Sequence, residues 1–179
     1  IAGLGSRDAF AKVPRKWDQE ADIVIVGAGG AGFAAAIEAA RAGAKVIILE
    51  KTPTVGGSTR LCGGALAFAG TDLQASKNVK DGNDLLKKDL LTVGGNMNDP
   101  VQVQAYIDNQ LATYEWLKKL GVKFVQLAIA SGMSAPRAHQ VVPPDVIKIL
   151  GDTAKASGAV LLMQAAASRL ILDEKTGRI

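Results

Sequence analysis

The chain's apolar residues change their period along its length, and the changes mark its elements. An unbroken apolar run, Ile23-Val24-Ile25-Val26, is followed by the loop Gly27-Ala28-Gly29-Gly30-Ala31-Gly32, an alanine-rich segment at helical spacing, and a second apolar run that closes at Glu50. Short apolar runs bounded by glycine predict strands and the segment between them a helix, so residues 22 to 50 read as a βαβ unit. The polar stretch from Thr71 to Gly82 predicts a surface connection. A helix is expected to start near Asn83 and to run through Leu85, Leu86, Leu90 and Leu91 to Gly94-Gly95. Asp99 as N-cap and Pro100 at the first helical position open the next helix, which continues through Leu120 and stops at Gly121. Beyond it the pattern predicts a short strand within Lys123 to Ala128 and a loop from Ala130 to Pro144 that carries Arg137 and His139. A helix from Val146 to Ser157, a strand from Ala159 to Met163 and the start of a hairpin over Ala167 to Asp173 follow.

The βαβ unit carries a chemical device. Gly27 allows the tight turn after the strand, Gly29 leaves room for a pyrophosphate to approach the backbone, and Gly32 lets the helix pack closely on the sheet. The first-turn N–H groups of that helix, over Gly30, Ala31 and Gly32, and its positive dipole end favour anionic oxygens. Glu50, at the end of the second strand, can accept hydrogen bonds from both hydroxyls of an adenosine ribose. Strand, loop, helix and acid at this spacing specify a dinucleotide site where the glycines alone would not.

The acid narrows the ligand, because a carboxylate repels a 2′-phosphate and so disfavours NADP against NAD or FAD. After Glu50, Lys51-Thr52-Pro53-Thr54-Val55 leads into a second polar glycine loop, Gly56-Gly57-Ser58-Thr59, and then to Gly63-Gly64. An NAD domain has no need of that second loop. A flavin dinucleotide is longer, and a backbone-rich loop with small hydroxyl side chains suits its pyrophosphate and ring. Ser58 and Thr59 also fit ordinary turn chemistry.

On these residues the chain resembles a known family. DIVIVGAGGAGFAAAIEAARAGAKVIILEK, followed by GGST, GG, GGNMNDP and WLKKLGVKF, is similar to the flavoproteins of the fumarate reductase and succinate dehydrogenase superfamily. The likeness is greatest to the soluble branch, with flavocytochrome c fumarate reductases, urocanate reductases and ketosteroid dehydrogenases. It implies an α/β fold: a Rossmann-like FAD-binding domain with a parallel sheet flanked by helices, incomplete at its C-terminus. Residues 1–20 are expected to form an N-terminal arm or the tail of an export signal, and 21–179 the N-terminal part of the FAD-binding domain. The resemblance carries phosphate contact onto Ala28, Gly29, Gly30, Ala31 and Gly32, ribose contact onto Glu50, and flavin-loop contact onto Gly57, Ser58 and Thr59. Gly27 and Lys51 are expected among the cofactor-binding residues too, and Gly63 and Gly64 would approach the flavin and the substrate edge. The membrane-bound members carry a histidine that links covalently to FAD; no histidine occurs between Gly56 and Gly70, so non-covalent FAD is expected. GGSTRLCGG is shorter than the flavocytochrome pattern and closer to the ketosteroid dehydrogenase side. The stretch Arg137-Ala138-His139 resembles a family segment but continues as Gln140-Val141-Val142-Pro143-Pro144, so catalysis is not carried onto His139. The family's proton-donor arginine and carboxylate ligands lie in a cap domain and C-terminal half that this sequence does not contain. The catalytic residues are therefore expected outside the chain, which alone is expected to be inactive.

Composition adds limits. The 179 residues are 48% hydrophobic, enough for one domain-sized core. The net charge of +4 is spread over scattered lysines, with no basic and aromatic groove of the nucleic-acid kind. Cys62 is the only cysteine, which excludes an internal disulfide and a cysteine metal cluster, and it is expected to be a small buried residue. His139 is the only histidine, and no metal site is expected. No stretch is long and apolar enough to span a membrane. Ala9-Phe10-Ala11 fits the small-x-small pattern before a signal cleavage site, and a flexible arm fits it equally; the resemblance, whose soluble members are often exported, implies a periplasmic or exported protein, with a cytoplasmic one as the alternative.

Three functions fit. One is hydride transfer between FAD and the unsaturated C–C bond of a small carboxylate, with a cytochrome c-like protein as electron donor. The second is a ketosteroid dehydrogenase-like flavoenzyme, and the third a dinucleotide-binding module without catalysis of its own.

Overall fold

The computed structural model describes residues 16–173 and 175–177; the Ala9-Phe10-Ala11 motif lies outside the described residues. In chain order the elements are β1 (Ile23–Val26), α1 (Gly30–Arg41), β2 (Val46–Glu50), α2 (Gly57–Leu61), β3 (Ala65–Ala67) and α3 (Asp72–Ser76). They continue with α4 (Asn83–Val93), α5 (Pro100–Lys119), β4 (Gln126–Ala128), β5 (Ala138–Gln140), α6 (Pro143–Ala156) and β6 (Val160–Met163). Strands β1, β2 and β6 form a parallel sheet in the order β1-β2-β6, with Val26 beside Leu49 and Glu50 beside Met163. A second, antiparallel sheet has the order β3-β5-β4, with His139 between Leu66 and Leu127.

Helices α1 and α6 pack together on one face of the parallel sheet. Phe33 and Ile37 of α1 meet Ile147, Leu150 and Ala154 of α6 over Val46 and Ile48 of β2. Gly151 permits this approach, since a Cβ there would stand 3.3 Å from the Phe33 ring. Ile25 faces the same core, so strand alternation turns Val24 and Val26 to the opposite face, where they are 54% and 63% exposed. Pro143 and Pro144 sit in the first turn of α6, where the missing N–H groups would have no intrahelical acceptor, and the helix starts earlier than Val146 for that reason. The start of α5 follows the expectation: the Asp99 carboxylate accepts from the Val101 and Gln102 N–H groups at 2.8 and 3.1 Å, with Pro100 next to it.

Three expectations are corrected. The stretch from Thr71 to Gly82 is no mere surface connection: it contains α3, opened by a capping box between Thr71 and Gln74, and both of those side chains are buried. Polar residues there satisfy one another, which lets them enter the interior. The stretch from Ala130 to Pro144 is not all loop, because Ala138–Gln140 forms β5, the central strand of the second sheet, with Arg137 and His139 buried. Cys62 is exposed, not buried, at the end of the short helix α2. Towards the C-terminus, residues 164 to 172 form no strand, and a turn at 175–177 closes with the Gly177 N–H donating to the Asp173 carbonyl at 2.8 Å.

Candidate dinucleotide-binding site

The site lies where β1 and β2 end and α1 begins. Gly27 turns the chain at φ +101°, a conformation that L side chains disfavour, and its N–H donates to the Leu49 carbonyl at 2.8 Å. A Cβ at Gly32 would lie well inside contact distance of the Gly27 carbonyl oxygen, so the first turn of α1 can press on the loop only because residue 32 has no side chain. Gly29 differs: a Cβ there would meet only the Gly56 carbonyl oxygen, at 3.6 Å. The space in front of Gly29 is open. Helix α1 has Gly29 as N-cap, no cap from that residue's side chain and no acid in its first turn, so the N–H groups of Ala31 and Gly32 have no intrahelical acceptor.

Glu50 is 7% exposed and held from two sides. Its Oε2 accepts from the Ala28 N–H at 2.9 Å, and its Oε1 faces both the N–H and the hydroxyl of Thr52 at 2.8 Å. The Ala28 amide, then the two Thr52 groups, hold this carboxyl below the usual carboxylate range; burial opposes them and Lys51 assists. Glu50 is therefore an ionised acceptor in a fixed position. Thr52 was not legible as a partner, because a threonine two residues beyond a strand-ending acid has no distinctive pattern.

The second glycine loop is stitched to the first. The Gly56 N–H donates to the Ala28 carbonyl at 2.8 Å, Gly29 and Gly56 form an isolated parallel bridge, and the Gly30 N–H donates to Thr59 Oγ1 at 3.2 Å. Ser58 and Thr59 belong to α2, and not to an extended loop, so Ser58 presents its hydroxyl from an exposed first turn. Gly56 must lack a side chain, since a Cβ there would stand 2.6 Å from Arg60 Cβ. Gly57 and Gly63 face open space, whereas Gly64 is buried at φ +76° against the Val141 carbonyl. Lys51 is exposed beside Glu50.

Arg137 and His139 form a separate interior network. The Arg137 Nη2 and Nε groups donate to Asp81 at 2.8 and 2.9 Å and Nη1 to Asp89 at 2.5 Å. Burial opposes the guanidinium charge, but the two aspartates outweigh it and raise the pKa above its ordinary value. Asp89 also accepts from the Ser134 hydroxyl and N–H at 2.6 and 2.7 Å; those bonds, ahead of Arg137, hold its carboxyl below the usual range. His139, fully buried among Phe68, Tyr114 and Phe124, is kept neutral by that burial, which lowers its pKa. Its Nδ1 lies 2.8 Å from the Arg137 carbonyl, which can only accept, so Nδ1 carries the proton and Nε2 accepts from the Thr71 hydroxyl at 2.8 Å. Each of these groups is spent on the fold. Among the described residues no group of histidine, cysteine and acid side chains could hold a metal ion, and no helix is long and apolar enough to cross a membrane.

Known proteins are similar to this chain. The cytochrome-type fumarate reductase of Shewanella frigidimarina is 35% identical over 159 residues, covering 86% of this chain and 28% of that enzyme. The urocanate reductase of Eggerthella lenta is 38% identical over 109 residues, 61% of this chain and 18% of that protein. The crystal structure of 3-ketosteroid-Δ4-(5α)-dehydrogenase from Rhodococcus jostii RHA1 superposes with a TM-score of 0.82 at 29% identity, over 92% of this chain and 42% of that one. The chain thus spans less than half the length of each. Residues 22–176, which include both glycine loops and Glu50, match the FAD binding domain family, and the chain belongs to it.

Proposed function

We propose that this chain is the cofactor-holding part of an FAD-dependent oxidoreductase that reduces the unsaturated C–C bond of a small carboxylate. The observation that carries the reading is the pinned, ionised Glu50 beside the first turn of α1, where the N–H groups of Ala31 and Gly32 have no intrahelical acceptor, with a second glycine loop bonded to the first. This donor set fits a flavin dinucleotide. The N–H groups of Ala31 and Gly32 would take the pyrophosphate, Glu50 a ribose hydroxyl, and the backbone of Gly57, Ser58 and Thr59 the flavin side, with Gly63 and Gly64 towards the substrate edge. FAD, when bound, supplies hydride chemistry that no side chain can. The residues of this chain bind it, orient it and keep a fixed negative charge where a 2′-phosphate would stand.

Small unsaturated carboxylates are favoured because fumarate reductase and urocanate reductase are among the relatives with the higher identities. The likeness to a ketosteroid dehydrogenase, together with the short GGSTRLCGG loop, favours an enone steroid as the second reading. Non-covalent FAD follows from the lack of histidine between Gly56 and Gly70. A cytochrome-type electron donor is suggested by the Shewanella relative, and an exported location by Ala9-Phe10-Ala11. The test is oxidation of a reduced dye by the full-length protein with fumarate, urocanate and an enone steroid in turn. Turnover with a carboxylate supports the first reading, turnover with the steroid alone replaces it by the second, and turnover with none overturns both.

A further inference from the structure

The Glu50 carboxylate can receive a ribose only if it stays where the chain puts it. A glutamate has three rotatable side-chain bonds, and free rotation would have to be frozen at binding. Two holders are backbone N–H groups, those of Ala28 and Thr52, which any sequence would supply. The third is a side chain. The Thr52 hydroxyl oxygen lies 2.8 Å from Glu50 Oε1 and 2.6 Å from the Thr54 carbonyl oxygen, so its single proton is shared between two acceptors, of which the charged carboxylate makes the stronger kind of bond. Thr52 is thereby tied both to the carboxylate and to the turn that leads into the second glycine loop. With two donors on Oε1 and one on Oε2, the carboxylate keeps an unused acceptor position on Oε2.

We infer that Thr52 is a positioning residue for the cofactor: its hydroxyl fixes the Glu50 carboxylate in advance, with the free position of Oε2 aimed for a ribose hydroxyl. Nothing in the glycine loops or the acid requires a hydroxyl at this place, so the role belongs to this turn and not to the dinucleotide fingerprint. The inference rests on the reading that FAD is the ligand.

The experiment uses the full-length protein stripped of flavin and titrated with FAD, followed by quenching of flavin fluorescence. Thr52→Val keeps the branched shape and the N–H but removes the hydroxyl, and should raise the FAD dissociation constant about tenfold, the worth of one charge-assisted hydrogen bond. Thr52→Ser should restore it to within about twofold. In a Glu50→Ala background, Thr52→Val should change the constant by less than about twofold, because the hydroxyl acts only through the carboxylate. FAD binding by Thr52→Val equal to that of the parent would overturn the inference, as would an equal loss in the Glu50→Ala background, and either would leave the FAD reading standing. A parent protein that binds no FAD would overturn both.

Discussion

Thr59 Oγ1 accepts a hydrogen bond from the Gly30 N–H at 3.2 Å, so a side chain of α2 does for α1 what the glycine N-cap of α1 cannot. The two glycine loops are one structure for this reason. Thr59→Val should lower stability by about 0.5–2 kcal/mol, the usual cost of a lost cap, while Thr59→Ser should be near neutral. Urea unfolding of the two variants checks this; equal loss in both would mean that packing of the methyl group, and not the cap, matters.

Gly29 and Gly32 lie in one loop and should fail differently. A side chain at Gly29 has room in the chain itself, so Gly29→Val should leave a folded protein that no longer binds FAD. A side chain at Gly32 collides with the Gly27 carbonyl, and Gly32→Ala should destabilise the fold by roughly 1–3 kcal/mol or more before any ligand is considered. Circular dichroism and flavin content, measured on both, separate the two outcomes. Stoichiometric FAD in folded Gly29→Val would move the phosphate site elsewhere.

These contrasts show what the sequence makes legible. The βαβ unit, Glu50, the capped start of α5 and the strand β6 are local signals: period, glycine spacing and an Asp-Pro pair. The burial of Thr71, Gln74, Asp81, Arg137 and His139 is not local. Arg137 lies far along the chain from Asp81, and His139 from Thr71, whereas Thr71 and Gln74 bond each other three residues apart. A polar pattern reads as surface unless the pairing is known, which is why the buried strand β5 was expected as a loop; the Thr71-x-x-Gln74 spacing that opens α3 is a local signal and was readable. Cys62 misleads in the opposite direction, since a small apolar residue type sits exposed at the end of a short helix.

Arg137 is the centre of that hidden interior. Its side chain and that of Asp81 are 1% and 0% exposed, so Arg137→Gln would leave carboxylates buried without their counter-charge. The expected loss is roughly 3–5 kcal/mol of stability, as for other buried pairs that lose one partner. Denaturant unfolding gives the value; a loss below about 1 kcal/mol would show that the pair is replaceable.

His139 should give the fold a mild acid sensitivity. Burial lowers its pKa in the folded state below the unfolded value of about 6.5, so the unfolded chain takes up a proton first as pH falls. Stability is then full above about pH 6.5 and declines as pH drops from there towards the folded pKa. Carboxylates held below their usual range, Glu50, Asp72 and Asp89 among them, add their own loss only at lower pH, from about 5 downwards. Urea midpoints at pH 7.5 and 5.5 should therefore differ for the parent and be nearly equal for His139→Gln.

The central claim is that the pinned Glu50 and the paired glycine loops hold FAD without a covalent bond. It is tested most directly by denaturing the purified full-length protein, separating precipitate from supernatant and identifying the chromophore in each. The expected result is FAD in the supernatant, about one per chain, over a colourless precipitate. Tightly bound NADP with no flavin, or flavin that stays with the precipitate, would contradict it.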